Sequence, residues 1–137
     1  MATGASLEPI TPDECMALLS TASVGRIGVN IDALPTVLPV NFALFNGSVV
    51  FRTAPGTKLH FATRDAVVAF QADHYGSARE PTGWSVLIRG VAQTITDPSV
   101  LRAAQHLPLE AWGPLEGSPG DYVRVEPAIV TGRRFVL

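Results

Sequence analysis

The chain has little that could cross-link, charge or anchor it. Its 137 residues include one cysteine, Cys15. No disulfide can form within the chain, which fits a reducing cytoplasm. Charged residues are 16% of the total, with 10 Lys+Arg against 12 Asp+Glu and a formal net charge of −2. There is no basic excess or cluster, so the electrostatic footprint of a nucleic-acid or membrane-surface binder is missing. No apolar run is long enough to span a bilayer. The opening MATGASLEPI has neither the basic nor the apolar segment of a signal peptide, so a cytoplasmic location is expected. GxGxxG and Walker patterns are absent. His60, His74 and His106 lack metal-ligand spacing. Asp73 and His74 are neighbours on one expected strand and face opposite ways, so they form no dyad. Cys15 has no adjacent base and reads as a buried, inert thiol.

What the chain does contain is apolar and rich in turns. Hydrophobic residues make up 47%, with 12 Gly and 11 Pro, which excludes disorder and favours a β protein. A chain of this length buries roughly 68–70% of its unfolded surface, enough for a core. One domain over 1–137 is expected, with 1–10 as a loose N-terminal arm.

Thr11, Pro12 and Glu14 open a helix over 11–22 with a capping-box start. Residues 23–31 read as a strand, and 34–45 as another interrupted by Pro39, which places an edge or bulge there. Asn46-Gly47 is a hairpin signal, and 48–54 return as a strand. Thr57 caps a short helix over 57–65. Strands follow at 66–75 and 84–96, the second bending at Gly90. Asp97 and Pro98 start a helix over 97–107, residues 108–120 form a loop, and 121–137 close with one or two strands. Strands joined by hairpin signals, without regular alternation with helices, predict a mainly β fold: an antiparallel split barrel of about six strands with a few short helices.

One stretch carries more polar chemistry than a surface turn needs. In FRTAPGTK (51–58), the pleat sets Arg52 opposite Phe51 and Thr53, and a Pro-Gly turn leads into a helix start bearing Lys58. A guanidinium, a hydroxyl, an ammonium and unpaired N–H groups describe an anion cradle; a solvated basic turn is the plainer alternative. Pairing about Asn46-Gly47 would set 38–42 opposite 51–55. Pro39, Val40 and Asn41 would then offer a backbone edge to a planar polar ring. Trp84 reads equally as core or as the rim of a site, and one of Arg133 and Arg134 is expected to face a pocket or interface.

The ordered series VGRIGV, LPTVLPVNFALFNGSVVFRTAPGTKL, AVVAFQAD, GWSVLIRGVA, a late tryptophan and TGRR resembles the pyridoxamine 5′-phosphate oxidase-like family of FMN-binding split β-barrels, in its small branch. The resemblance spans about Val24 to Arg134. It implies an FMN-binding oxidoreductase, dimeric, with cofactor sites at the subunit interface and a small-molecule substrate. Pro39, Val40 and Asn41 would lie along the flavin ring, and Arg52, Thr53 and Lys58 would hold its phosphate. Trp84 or Ser85 would face the ring, and Trp112 and Arg133 would come from the partner subunit. True oxidases carry a glutamine near the Ser85 position, and their full pyridoxal phosphate-binding set is missing here. A deazaflavin on the same fold, or a non-catalytic flavin or haem binder, is the alternative expectation.

Overall fold

The computed structural model of the chain describes residues 6–77, 79, 82–109 and 120–136. In chain order the elements are β1 (Ser6–Pro9), α1 (Pro12–Leu19), β2 (Val24–Ile31), β3 (Leu34–Asn41), β4 (Ala43–Phe45), β5 (Ser48–Thr53), α2 (Lys58–Ala62), β6 (Ala66–Tyr75), β7 (Gly83–Thr94), α3 (Pro98–Ala104) and β8 (Asp121–Val136).

Local chemistry accounts for the helix starts. Thr11 Oγ1 accepts from the Glu14 N–H at 3.2 Å, with Pro12 in the first turn of α1. Thr57 accepts from the His60 N–H at 3.1 Å to start α2. The Asp97 carboxylate accepts from the Ser99 hydroxyl and from the Val100 and Ser99 N–H groups at the start of α3. Those bonds, the Ser99 hydroxyl foremost, hold the Asp97 carboxyl below its usual range. Its folded-state pKa is therefore depressed. The cap strengthens the fold above the ordinary carboxylate pKa and is lost as pH falls through the lowered value.

The strands form one antiparallel sheet of eight in the order β3-β2-β6-β7-β8-β5-β4, with β1 paired to the far half of β8. Two strands beyond the expected six have physical reasons. Residues 6–9, expected in a loose arm, are taken up by β8, whose 16 residues outrun β5 and leave an edge for Ser6–Pro9 to cover. Phe42 divides the 34–45 stretch, so that β3 pairs with β2 while β4 pairs with β5. Pro39 accordingly lies on an edge strand. Asn46 (φ 51°) and Gly47 (φ 76°) make the left-handed pair that matches strand twist in a two-residue hairpin.

The sheet curls so that its inner face forms the core, with Phe51, Phe70, Ile27, Ile88, Val86 and Val123 fully buried. Cys15 and Leu19 of α1 complete this core. A Cβ on Gly132 would stand 2.5 Å from Cys15 Sγ, so glycine is what lets the helix approach β8. A second cluster, Val50, Ile95, Ala104, Leu109 and Tyr122, packs outside the sheet beneath α3.

The bend expected at Gly90 is a register shift between Arg89 and Gly90: Arg89 pairs with Ile129 but Gly90 with Pro127. There a Cβ would collide with the Glu126 backbone carbonyl, which no side-chain motion relieves. Gly90→Ala is expected to destabilise the fold by about 2 kcal/mol or more, read as a lower midpoint in urea unfolding with an unchanged slope.

Candidate functional site

The barrel is open along one seam. The β4–β5 hairpin pairs Phe45 with Ser48, Leu44 with Val49 and Ala43 with Val50, and the ladder stops there. The expected continuation of 38–42 against 51–55 does not form. Phe42 turns the chain away: its N–H donates to the Ser23 carbonyl at 3.0 Å, and its ring meets Phe70 edge-on at 4.7 Å. β3 then runs along β2, with Pro39 opposite Arg26, Val40 opposite Gly25 and Asn41 opposite Val24. Among the described residues, the β3 edge turned away from β2 carries no strand, and Phe51–Thr53 are laddered to β8 alone.

At the end of this seam the pleat of β5 is as the sequence predicts. Phe51 and Thr53 are buried, and Arg52 lies on the other face. Thr53 Oγ1 is buried and has no hydrogen-bond partner among the described residues. A buried hydroxyl left unsatisfied costs about 1–3 kcal/mol, so its persistence calls for a ligand or a function. Beside it, Asp121, the cross-strand partner of Thr53, brings Oδ2 to 3.1 Å from the half-buried His60 Nδ1, off the line of a hydrogen bond. Lys58 extends to Asp32 in the β2–β3 turn, Nζ to Oδ2 2.9 Å, with both side chains largely exposed. Arg52 is not brought to Thr53. Its guanidinium donates to the Leu109 carbonyl at 3.1 Å and lies over the Tyr122 ring at 5.4 Å from the centroid.

The remaining candidates gather elsewhere. Cross-strand partners share a face, so the row Pro39, Arg26, Gln71, Leu87 and Thr131 crosses the outer face of the sheet from β3 to β8. Two residues along each strand lie Asn41 on β3, Asp73 on β6, Ser85 on β7 and Arg133 on β8. Val40, Thr53 and Trp84 point inward instead. Trp84 is core, yet it also borders an outer cavity of about 580 Å³ that Ser85, Arg133, Gln71, Arg89 and Tyr75 line. Arg134 turns the other way, to Glu14 of α1 at 3.6 Å. Trp112 lies outside the described residues.

Sequence reasoning missed Arg26, Gln71 and Asp73. Arg26 Nη1 donates to Gln71 Oε1 at 3.4 Å and to Asp73 Oδ1 at 3.2 Å. Gln71 Nε2 donates to Asp73 Oδ2 at 2.8 Å and Ser85 Oγ at 3.3 Å. The signal was present as polar residues at alternate positions of an otherwise apolar strand, but their partners on other strands lie 14 to 47 positions away in sequence. Burial and the neighbouring Glu14 charge raise the Cys15 thiol pKa, as suits an inert core residue. Among the described residues no group of acidic, histidine or cysteine side chains could hold a metal ion, and no helix is long and apolar enough to cross a membrane.

A curled antiparallel sheet opened at one seam defines a split β-barrel, and the comparisons agree. The chain belongs to the pyridoxamine 5′-phosphate oxidase family, whose model matches residues 11–134. It is similar to an uncharacterised protein of Mycobacterium tuberculosis, 37% identical over 129 residues that cover 90% of this chain and 82% of the other. The solved FAD binding protein from Mycobacterium smegmatis superposes at a TM-score of 0.80 with 39% identity, covering 93% of this chain and 98% of that one. A FAD-binding protein from Mesorhizobium loti shares the fold at a TM-score of 0.77 with 23% identity, covering 98% and 100%.

Thr53→Val removes the orphan hydroxyl and keeps the shape. It is expected to raise the stability of the cofactor-free protein by about 1 kcal/mol, measured as an upward shift in thermal midpoint. A drop would show that the hydroxyl is satisfied.

Proposed function

We propose that the protein is a flavin-binding oxidoreductase that works as a homodimer and holds FMN, or the FMN half of FAD, along the seam between β3 and β5. The buried, unpartnered Thr53 Oγ1 at the end of that seam carries the reading; family membership and the FAD-binding relative support it. The donor set suits the group. Thr53 gives a hydroxyl to a phosphate oxygen, and Lys58 gives an ammonium. Lys58 must leave Asp32 to do so, but an exposed ion pair is worth only about 0–1 kcal/mol. A hydrogen bond to a charged group is worth about 1.5–3 kcal/mol, so the exchange favours the phosphate. On the β3 edge turned away from β2, Pro39 offers the ring a carbonyl alone because it has no N–H, with Asn41 beside it. Val40 turns its side chain to the core and its backbone groups to Gly25 of β2, the next bonded pair after Phe42–Ser23, so it shapes the edge without bonding the ring. Arg52 acts from behind the site, tying Leu109 to β5.

Distance supports a second subunit. Three strand spacings, roughly 14 Å, separate β3 from β7, with β2 and β6 between them. Ser85 and Arg133 of one chain therefore serve the flavin held at the seam of its partner, and so does Trp112 in this reading. The face that would be shared exposes Val37, Val67, Val91 and Ile129, at 70%, 76%, 40% and 49% of their full areas, which favours burial against a copy. A bound flavin supplies hydride and electron transfer at its ring; the chain binds it, orients it and covers it from water.

The test is a titration of the protein with FMN, FAD and a deazaflavin, followed by flavin absorption and fluorescence. FMN or FAD binding is expected, with Thr53→Val and Lys58→Met each weakening it about tenfold. Unchanged affinity in both variants would remove the phosphate from the seam. Binding of the deazaflavin alone would select that cofactor, and binding of none would overturn the proposal.

Solution mass tests the second subunit. The native chain is expected to be dimeric at micromolar concentration and Val67→Lys monomeric, with weakened flavin binding. A monomeric native chain would break the two-subunit site.

A further inference from the structure

The polar cluster on the outer face holds more order than packing requires. Gln71 is wedged between Arg26, which can only donate, and Asp73, whose carboxylate accepts. Its amide therefore cannot flip: Oε1 must face the guanidinium and Nε2 the carboxylate. One Nε2 hydrogen serves Asp73 Oδ2, and the other is left pointing at Ser85 Oγ, 3.3 Å away. An amide N–H does not accept, so the Ser85 oxygen is the acceptor in that contact. Its own proton must point elsewhere, and among the described residues no group accepts it. Ser85 lines the outer cavity. The cluster thus converts a freely rotating hydroxyl into a donor available to that cavity.

We infer that Arg26, Asp73 and Gln71 are positioning residues that orient the Ser85 hydroxyl as a hydrogen-bond donor to an acceptor atom of the flavin ring presented by the partner copy. This rests on the proposed two-subunit flavin site. The chemical consequence is specific. Reducing the ring raises the electron density on its acceptor atoms. A fixed donor favours the reduced form and raises the midpoint potential. Without Gln71 the hydroxyl is free to turn towards Asp73, its cross-strand partner, and the donor is lost to the ring.

Ser85→Ala, Gln71→Met and the double variant separate this from a merely structural role. Ser85→Ala is expected to lower the potential of bound FMN and weaken FMN binding about three- to tenfold. Gln71→Met is expected to do the same in the native background and to add almost nothing in Ser85→Ala. Equal effects of Gln71→Met in both backgrounds, or no change in potential, would overturn the inference. A second measurement needs no flavin. In the cofactor-free protein the two Gln71 amide proton resonances are expected to be well separated, and Ser85→Ala should shift one of them. If they do not move, the orienting contact does not exist. If they move while the native chain binds no flavin, the cluster stands, the flavin reading falls, and the Ser85 donor serves another acceptor.

Discussion

A β-barrel must satisfy its backbone groups strand to strand, and here that rule is broken along one line. The break is made at Phe42. Its ring is drawn into the core against Phe70, and its N–H is taken by Ser23. A strand that would otherwise run on beside β5 is peeled over to β2. Gly25 permits this corner, since a Cβ there would meet the Phe70 ring at 2.4 to 2.6 Å. Among the described residues the result is a β3 edge without a partner strand and a half-laddered end on β5, both set on the packed core. An edge fixed in a packed frame suits recognition of a flat polar ring, because little ordering cost is left to meet on binding.

The outer face is organised by a different rule. It exposes Val37, Val67, Val91 and Ile129, in rows that also hold Arg89 and Glu126, and gathers Arg26, Gln71, Asp73 and Ser85 on neighbouring rows. Apolar side chains reward burial against a copy, whereas polar ones are tolerated there only if they satisfy one another. Arg26, Asp73 and Gln71 do so. The Arg26–Asp73 pair is partly exposed in the single chain, at 43% and 24% of side-chain area, so it contributes little to monomer stability. Its value is geometric, in fixing which way an amide points.

Much of the local structure was legible beforehand because its causes are local. Thr11, Thr57 and Asp97 cap helices through contacts two or three residues away. Asn46-Gly47 makes its turn from its own backbone freedom, and the pleat placed Thr53 and Arg52 on opposite faces. Pairing was less legible. The Asn46-Gly47 hairpin extended on paper to 38–42, but three residue pairs form before tertiary packing at Phe42 overrides it. Residues 6–9 carry no strand signal of their own; they pair because β8 offers an edge.

The sequence alone determined the turns, the caps, the alternation of faces and the family, since each depends on neighbouring residues or on their order along the chain. Only the tertiary structure decided which edges stay open and which distant side chains meet. Thr53, a candidate from the sequence, was set apart from its neighbours because its buried hydroxyl has no partner among the described residues. Arg52 meets Leu109 and Tyr122 on the face opposite Thr53. Ser85 gained an orientation because the β2–β6–β7 register brings Arg26, Gln71 and Asp73 beside it. Register is a property of strands packed on a shared core, and a one-residue slip would have put every one of these groups on the opposite face.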